Sequence, residues 1–143
     1  MPKVMVVIPT YNEKENITAI TEALMHLPAY LNVLIVDDNS PDGTGQIADQ
    51  LAEQYRGRVN VLHRYEKGGL GPAYIAGFKE ALQLGADYII QMDADFSHQP
   101  KYIAQLIAKL ESGYDFVIAS RFAPGGGVDE NWSFYRKLLS WFA

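Results

Sequence analysis

Short apolar, β-branched runs alternate along this chain with longer stretches in which apolar residues recur every three or four positions. Val4–Ile8, Asn32–Val36, Val59–His63, Tyr88–Met92 and Phe116–Ala119 are the strand-like runs. Between them, helical spacing is kept by Ile17, Ile20, Leu24 and Leu27, then by Ile47, Leu51 and Tyr55. It recurs from Pro72 towards Gly85, and again in Ile103, Leu106, Ile107 and Leu110. This order predicts stacked βα units around a mostly parallel sheet, an α/β fold. The second strand is almost continuously apolar, as expected where both faces of a sheet are covered. Pro9 is expected to stop the first strand, Thr44 to cap the second helix, and Pro72 and Pro100 to sit in the first turns of the next two. The aromatic stretch from Ser133 to Ala143 reads as a last helix.

With 143 residues and 48% hydrophobic content, the pattern is expected to form one domain, residues 1–143. A formal charge of -5 argues against unspecific binding of nucleic acid, which needs an excess of Lys and Arg. Phosphate-bearing ligands must therefore be met by a local device. There is no cysteine, so any metal has to sit on oxygen or imidazole ligands. The first apolar run is too short for a signal sequence, and no stretch reaches the roughly 20 apolar residues of a membrane span.

Ligands of open α/β sheets bind beyond the carboxyl ends of the strands, so the residues that follow each apolar run carry the candidate chemistry. Here they are Thr10, Tyr11, Asn12 and Glu13, then Asp37 and Asp38, then Asp93 and Asp95. Asp93 and Asp95 flank one small residue, Ala94, and can aim two carboxylates into one crevice. Their repulsion would be relieved by a hard divalent cation that completes its shell with substrate phosphates and water. The same pair could instead cap the helix that follows. Asp38 is read as a binding residue for a ribose or base edge and Ser40–Gly43 as a turn. The KGGLG loop matches neither the P-loop nor the dinucleotide fingerprint, and its glycines are read as serving loop geometry. His98 is a candidate for orienting the loop or the metal shell.

The segments IPTYNEKENI, IVDDNSPDGT, GGLGPAYIAGF, MDADFSHQP, ASRFAPGGGVDENW and YRKLLS resemble, in order and spacing, the polyprenol-phosphate mannosyltransferases. These are inverting glycosyltransferases of family 2, and the likeness covers nearly the whole chain. The resemblance implies the GT-A fold, a Rossmann-like three-layer sandwich, with Pro9, Tyr11, Glu13, Val36 and Asp38 around the guanosine of the donor. It makes Asp93, Ala94 and Asp95 a DxD element, with Asp95 the principal ligand of Mg2+ or Mn2+ and Asp93 near sugar or ribose. Ser97 stands where some relatives carry a metal-associated Gln, so a water-mediated contact is expected there. Arg121 and Arg136 match arginines near the donor and acceptor phosphates. Asp95, Arg121 and Arg136 are thus the catalytic candidates.

The function so implied is transfer of mannose from GDP-mannose to a polyprenyl or dolichyl phosphate, in the cytoplasm at the cytoplasmic face of a membrane. Trp132 and the aromatic segment after it offer a peripheral membrane contact, or a helix that simply packs. Family catalytic domains continue well past YRKLLS, so the chain is expected to be cut short on its acceptor side. The alternative within the class is transfer of glucose or another sugar. Outside it stands a Mg2+-binding receiver domain, which would need its acidic pair after strand one, where Pro9 and Thr10 occur, and a lysine where Arg121 occurs.

Overall fold

The computed structural model describes residues 2–28, 30–65 and 67–120. The chain divides into two compact units, Met1–Lys101 and Tyr102–Ala143. The first holds β1 (Val4–Thr10), α1 (Ile17–Met25), β2 (Leu31–Asp37), α2 (Thr44–Gln54), β3 (Val59–His63), α3 (Leu70–Gln83) and β4 (Tyr88–Gln91). The four strands are all parallel, in the order β3-β2-β1-β4. Two successive connections step outwards from β1, and the third carries the chain back across it. Right-handed crossovers then put α1 and α2 on one face and α3 on the other. Accordingly α1 packs on α2 and β2, while α3 crosses β1, β2 and β4.

Burial follows this layering. Every residue of β1 and β2 is buried, as the unbroken apolar runs required. Met5, Val7, Leu34 and Val36 form the core on the α3 face with Ala73, Tyr74 and Ala81. Gly77 permits that contact: a Cβ there would overlap a Val7 methyl and stand 2.9 Å from a Val36 methyl. The helix axis can therefore lie close to the sheet.

Pro9 does not end β1, which runs on to Thr10 and pairs Pro9 with Val36. The ladder explains the tolerance. Val7 O accepts from Met92 N on the β4 side, whereas Thr10 O accepts from Asp38 N on the β2 side. Pro9, two residues from Val7, turns its missing donor towards β4, whose pairing has already ended at Gln91. Thr44 is likewise not the cap. It is the first residue of α2, and Asp42 accepts its N–H at 3.0 Å and its hydroxyl at 2.6 Å.

In the second unit, α4 (Ile103–Glu111) follows a short 3-10 turn, Pro100–Tyr102, and buries Ile103 and Ile107, one turn apart. The run Phe116–Ala119 forms no strand, against expectation, and Phe116 and Ile118 are each 75% exposed. A β-branched run becomes a strand only against a partner, and none of the described residues pairs with this one. Among the described residues no helix is long and apolar enough to cross a membrane.

Candidate functional site

The strand order reverses between the neighbours β1 and β4, with α1 and α3 on opposite faces, which makes the crevice at their carboxyl ends the topological switch point of the sheet. A pocket of about 310 Å3 opens there. Its walls are Pro9, Thr10, Tyr11 and Glu13 after β1, Asp38 after β2, Asp93, Ala94 and Asp95 after β4, and Lys67, Gly69, Leu70 and Ala73 at the start of α3. Among the described residues, four carboxylates face one ammonium. The amino end of α3, with the positive end of its dipole, stands on the same wall.

The β1 and β2 loops are tied into one piece. Asp37 accepts from Thr10 Oγ1 at 2.9 Å, Ser40 Oγ at 2.6 Å and Ser40 N at 3.0 Å. Ser40 Oγ in turn accepts the Asn12 N–H, Thr44 Oγ1 that of Glu13 and Asp42 that of Lys14. These bonds hold the Asp42 carboxyl below the usual carboxylate range, the Thr44 hydroxyl first among them. Asn12 and Asn39 supply the left-handed turns (φ 60 and 54), a conformation asparagine tolerates. Tyr11 and Glu13 are thereby fixed at the pocket wall. Lys67 Nζ lies 4.0 Å from the Tyr11 ring centroid, a cation-π contact across the mouth.

Asp38 is almost fully buried. Arg64 Nη1 meets both of its oxygens, at 2.9 and 3.2 Å, and Gly68 N donates to Oδ2 at 3.2 Å.

At the β4 end Asp93 Oδ1 accepts from the Tyr74 hydroxyl at 2.7 Å. Burial, then the hydrogen bond and charge of Asp93, push the Tyr74 phenol far above its ordinary pKa, so it stays a donor. His98 Nδ1 is 3.3 Å from Asp93 N and 3.6 Å from Asp93 Oδ2. The two contacts ask opposite things of one nitrogen, and the shorter one, in which Nδ1 accepts the backbone N–H, makes the longer a mere approach. Phe96 takes a left-handed φ of 60, costly for a bulky residue, and turns the chain so that Ser97 N donates to Asp95 Oδ1 at 2.9 Å. The Ser97 hydroxyl, then its N–H, hold the Asp95 carboxyl below the usual range.

Of the sequence candidates, Pro9, Tyr11, Glu13, Asp38, Asp93, Ala94 and Asp95 meet around one pocket. Val36 does not line it; its side chain is fully buried beneath α3. Ser97 stands beside the pocket and contacts Asp95. Arg121 and Arg136, like the aromatic segment from Trp132, lie outside the described residues. Arg64 and Tyr74 were not among the candidates. Each meets its aspartate across 26 and 19 residues, a pairing with no local pattern. The described residues contain no cluster of three or more His, Asp or Glu able to hold a metal alone. Two carboxylates opening on one pocket do fit a divalent cation such as Mg2+ or Mn2+, which can take only one or two ligands from the protein and the rest from phosphate and water.

An open, doubly wound parallel sheet with a pocket at its switch point defines an α/β ligand-binding fold. Within that class the chain belongs to glycosyl transferase family 2, whose model, described as Glycosyl transferase family 2, matches residues 5–142. Its fold is accordingly the GT-A arrangement. The polyprenol monophosphomannose synthase of Mycolicibacterium smegmatis is 46% identical over 138 residues, 96% of this chain and 52% of that protein. The undecaprenyl-phosphate mannosyltransferase of Micrococcus luteus is 46% identical over 139 residues, 97% of this chain and 56% of that protein. Among solved structures, a mannosyltransferase from Pyrobaculum calidifontis in complex with GDP-Man and Mn2+ superposes with a TM-score of 0.54 at 26% identity, over 66% of this chain and 28% of that one. The chain spans about half the length of the curated relatives it matches.

Proposed function

We propose that this chain is the donor-binding core of a metal-dependent, inverting glycosyltransferase that moves mannose from GDP-mannose to a polyprenyl phosphate. The observation that carries the reading is the DAD element, Asp93 to Asp95, opening on the switch-point pocket. Support for mannose and for the lipid acceptor comes from the relatives named above.

In this reading Tyr11, Glu13 and Asp38 receive the guanosine, and Pro9 closes the pocket beneath it. Asp93, fixed by Tyr74, accepts a hydroxyl of ribose or sugar. Asp95 holds Mg2+ or Mn2+ with Asp93 beside it, and Ser97 supports that carboxylate. The cation, when bound, supplies the charge that stabilises the departing diphosphate. Arg121 and Arg136 orient the donor and acceptor phosphates by paired hydrogen bonds. The acceptor monoester has a second pKa of about 6, so its oxygen attacks the anomeric carbon without a general base. The bond to the diphosphate oxygen breaks as the new one forms on the opposite face, which inverts the centre. Contact with the membrane through residues 132–143 would bring the lipid phosphate to the site at the cytoplasmic face.

Transfer of labelled mannose from GDP-mannose to polyprenyl phosphate, with Mn2+ and with a chelator, tests the proposal. Metal-dependent mannolipid formation is expected. Equal transfer in chelator would remove the metal, and faster transfer from UDP-glucose would remove mannose.

A further inference from the structure

The KGGLG loop between β3 and α3 brings to the pocket a side chain that the acidic strand ends do not explain. Lys67 lines the pocket together with Glu13, Asp38, Asp93 and Asp95. Its ammonium pairs with none of them: among the described residues no carboxylate oxygen lies within 4.0 Å of Lys67 Nζ. It rests over the Tyr11 ring instead, 4.0 Å from the centroid. The carboxylates have other partners, Arg64 and Gly68 for Asp38, Asn16 for Glu13, Tyr74 for Asp93 and Ser97 for Asp95. Lys67 is thus a positive charge at an acidic wall, carried on a flexible four-carbon stem and held by one ring contact.

Magnitudes decide where that charge goes when an anionic ligand arrives. At an exposed site a cation-π contact is worth about as much as a neutral hydrogen bond, whereas a charge-assisted bond from an ammonium to a phosphate oxygen is roughly twice as strong. A phosphate in the pocket therefore draws the ammonium off the ring. The wall also needs it there. Arg64 offsets one of the four carboxylates and a divalent cation two more, which leaves Lys67 to offset the last before a diphosphate is met. We infer that Lys67 is a ligand-binding residue of this pocket, whose ammonium leaves the Tyr11 ring for a diphosphate oxygen when a nucleotide sugar enters, an inference that rests on the nucleotide-sugar reading above. Lysine suits the task because its ammonium is a compact point charge with rotatable donors, able to follow a phosphate that no rigid fork has to match.

The test is calorimetric titration of the full chain with GDP and with guanosine, which has no phosphate, both in Mn2+. Lys67→Met keeps the length of the stem and removes the charge; affinity for GDP should fall at least about tenfold, about 1.4 kcal/mol. Affinity for guanosine should not fall. Lys67→Gln should behave alike, which keeps the test valid if Lys67→Met does not fold, and Lys67→Arg should retain most of the affinity for GDP. Equal losses for GDP and guanosine in the uncharged variants would mean that Lys67 only supports Tyr11. Unchanged affinity for GDP would mean that the ammonium does not reach the diphosphate. Either result overturns the inference alone. An unaltered protein that does not bind GDP would overturn the nucleotide-sugar reading and this inference with it.

Discussion

The two acidic ends of this sheet carry the same side chains in opposite states. After β2, Asp37 and Asp38 are 2% and 4% exposed, and their oxygens are engaged by Thr10, Ser40, Arg64 and Gly68. After β4, the Asp93 side chain is 38% exposed and Asp95 is exposed, with Tyr74, His98 and Ser97 as neighbours. Burial makes the first pair costly without partners, so the fold supplies them, and the gain is a rigid wall. Exposure leaves the second pair room to exchange water for a ligand. Chemistry that depends on a changing shell belongs at β4, and shape belongs at β2.

If that division holds, the largest effect falls on turnover. Asp95→Ala should lower metal-dependent transfer by about a hundredfold to a thousandfold, the scale of losing one group that stabilises developing charge. Its thermal midpoint should stay near that of the unaltered protein, because the side chain is exposed and bonds only within its own loop. A variant with near-normal turnover would remove Asp95 from the metal site, and a collapsed midpoint would show the β4 end to be structural too.

The converse change comes next. Asp37→Asn keeps the shape but replaces one acceptor oxygen by a donor, against partners that all donate. It should cost about 3 kcal/mol of stability, read from urea unfolding, since bonds to a charged acceptor are worth about 1.5–3 kcal/mol each. A loss below about 1 kcal/mol would mean that the β2 end is not the fixed wall inferred from its bonds.

How far this contrast could be read from the chain depends on the range of the interactions. Apolar spacing located β1 to β4 and α1 to α4, because periodicity is local and burial on both faces leaves an unbroken signature. The acidic residues at strand ends were visible for the same reason. Phe116–Ala119 looked like a strand because propensity reports fitness for a sheet, not the presence of a neighbour. Pro9 looked like a stop because whether its nitrogen faces a paired neighbour is set by where β4 ends, some 80 residues on. Asp38 with Arg64 and Asp93 with Tyr74 were invisible for a like reason. Val36 lies near a strand end in sequence, but α3 covers it at Gly77 and its side chain is buried in the core.

A smaller effect is expected at the junction of the two states. Tyr74 is buried like the β2 pair and serves the open β4 end. Tyr74→Phe should cost about 1.5 kcal/mol of stability, the lower range for a bond to a carboxylate. It should also raise KM for the nucleotide sugar more than it lowers kcat, since Asp93 is read as a binding group. An unchanged KM with a large fall in kcat would move Asp93 into the reacting centre.

The smallest effect distinguishes a ligand from its support. Ser97 was expected near the metal, and it holds the Asp95 carboxyl below its ordinary range through its hydroxyl and N–H. A depressed pKa means that the ionised form is present above the usual carboxylate value and is lost only as pH falls through the lowered one. Metal binding by Asp95 should therefore persist further into acid than an ordinary carboxylate would allow. Ser97→Ala removes the hydroxyl and leaves the N–H. The acid-side midpoint of Mn2+ binding, followed by electron paramagnetic resonance in the presence of GDP, should move up in pH, while affinity at neutral pH stays nearly constant because Asp95 is ionised there in both forms. Loss of affinity at neutral pH with an unmoved midpoint would instead make the Ser97 oxygen itself a ligand.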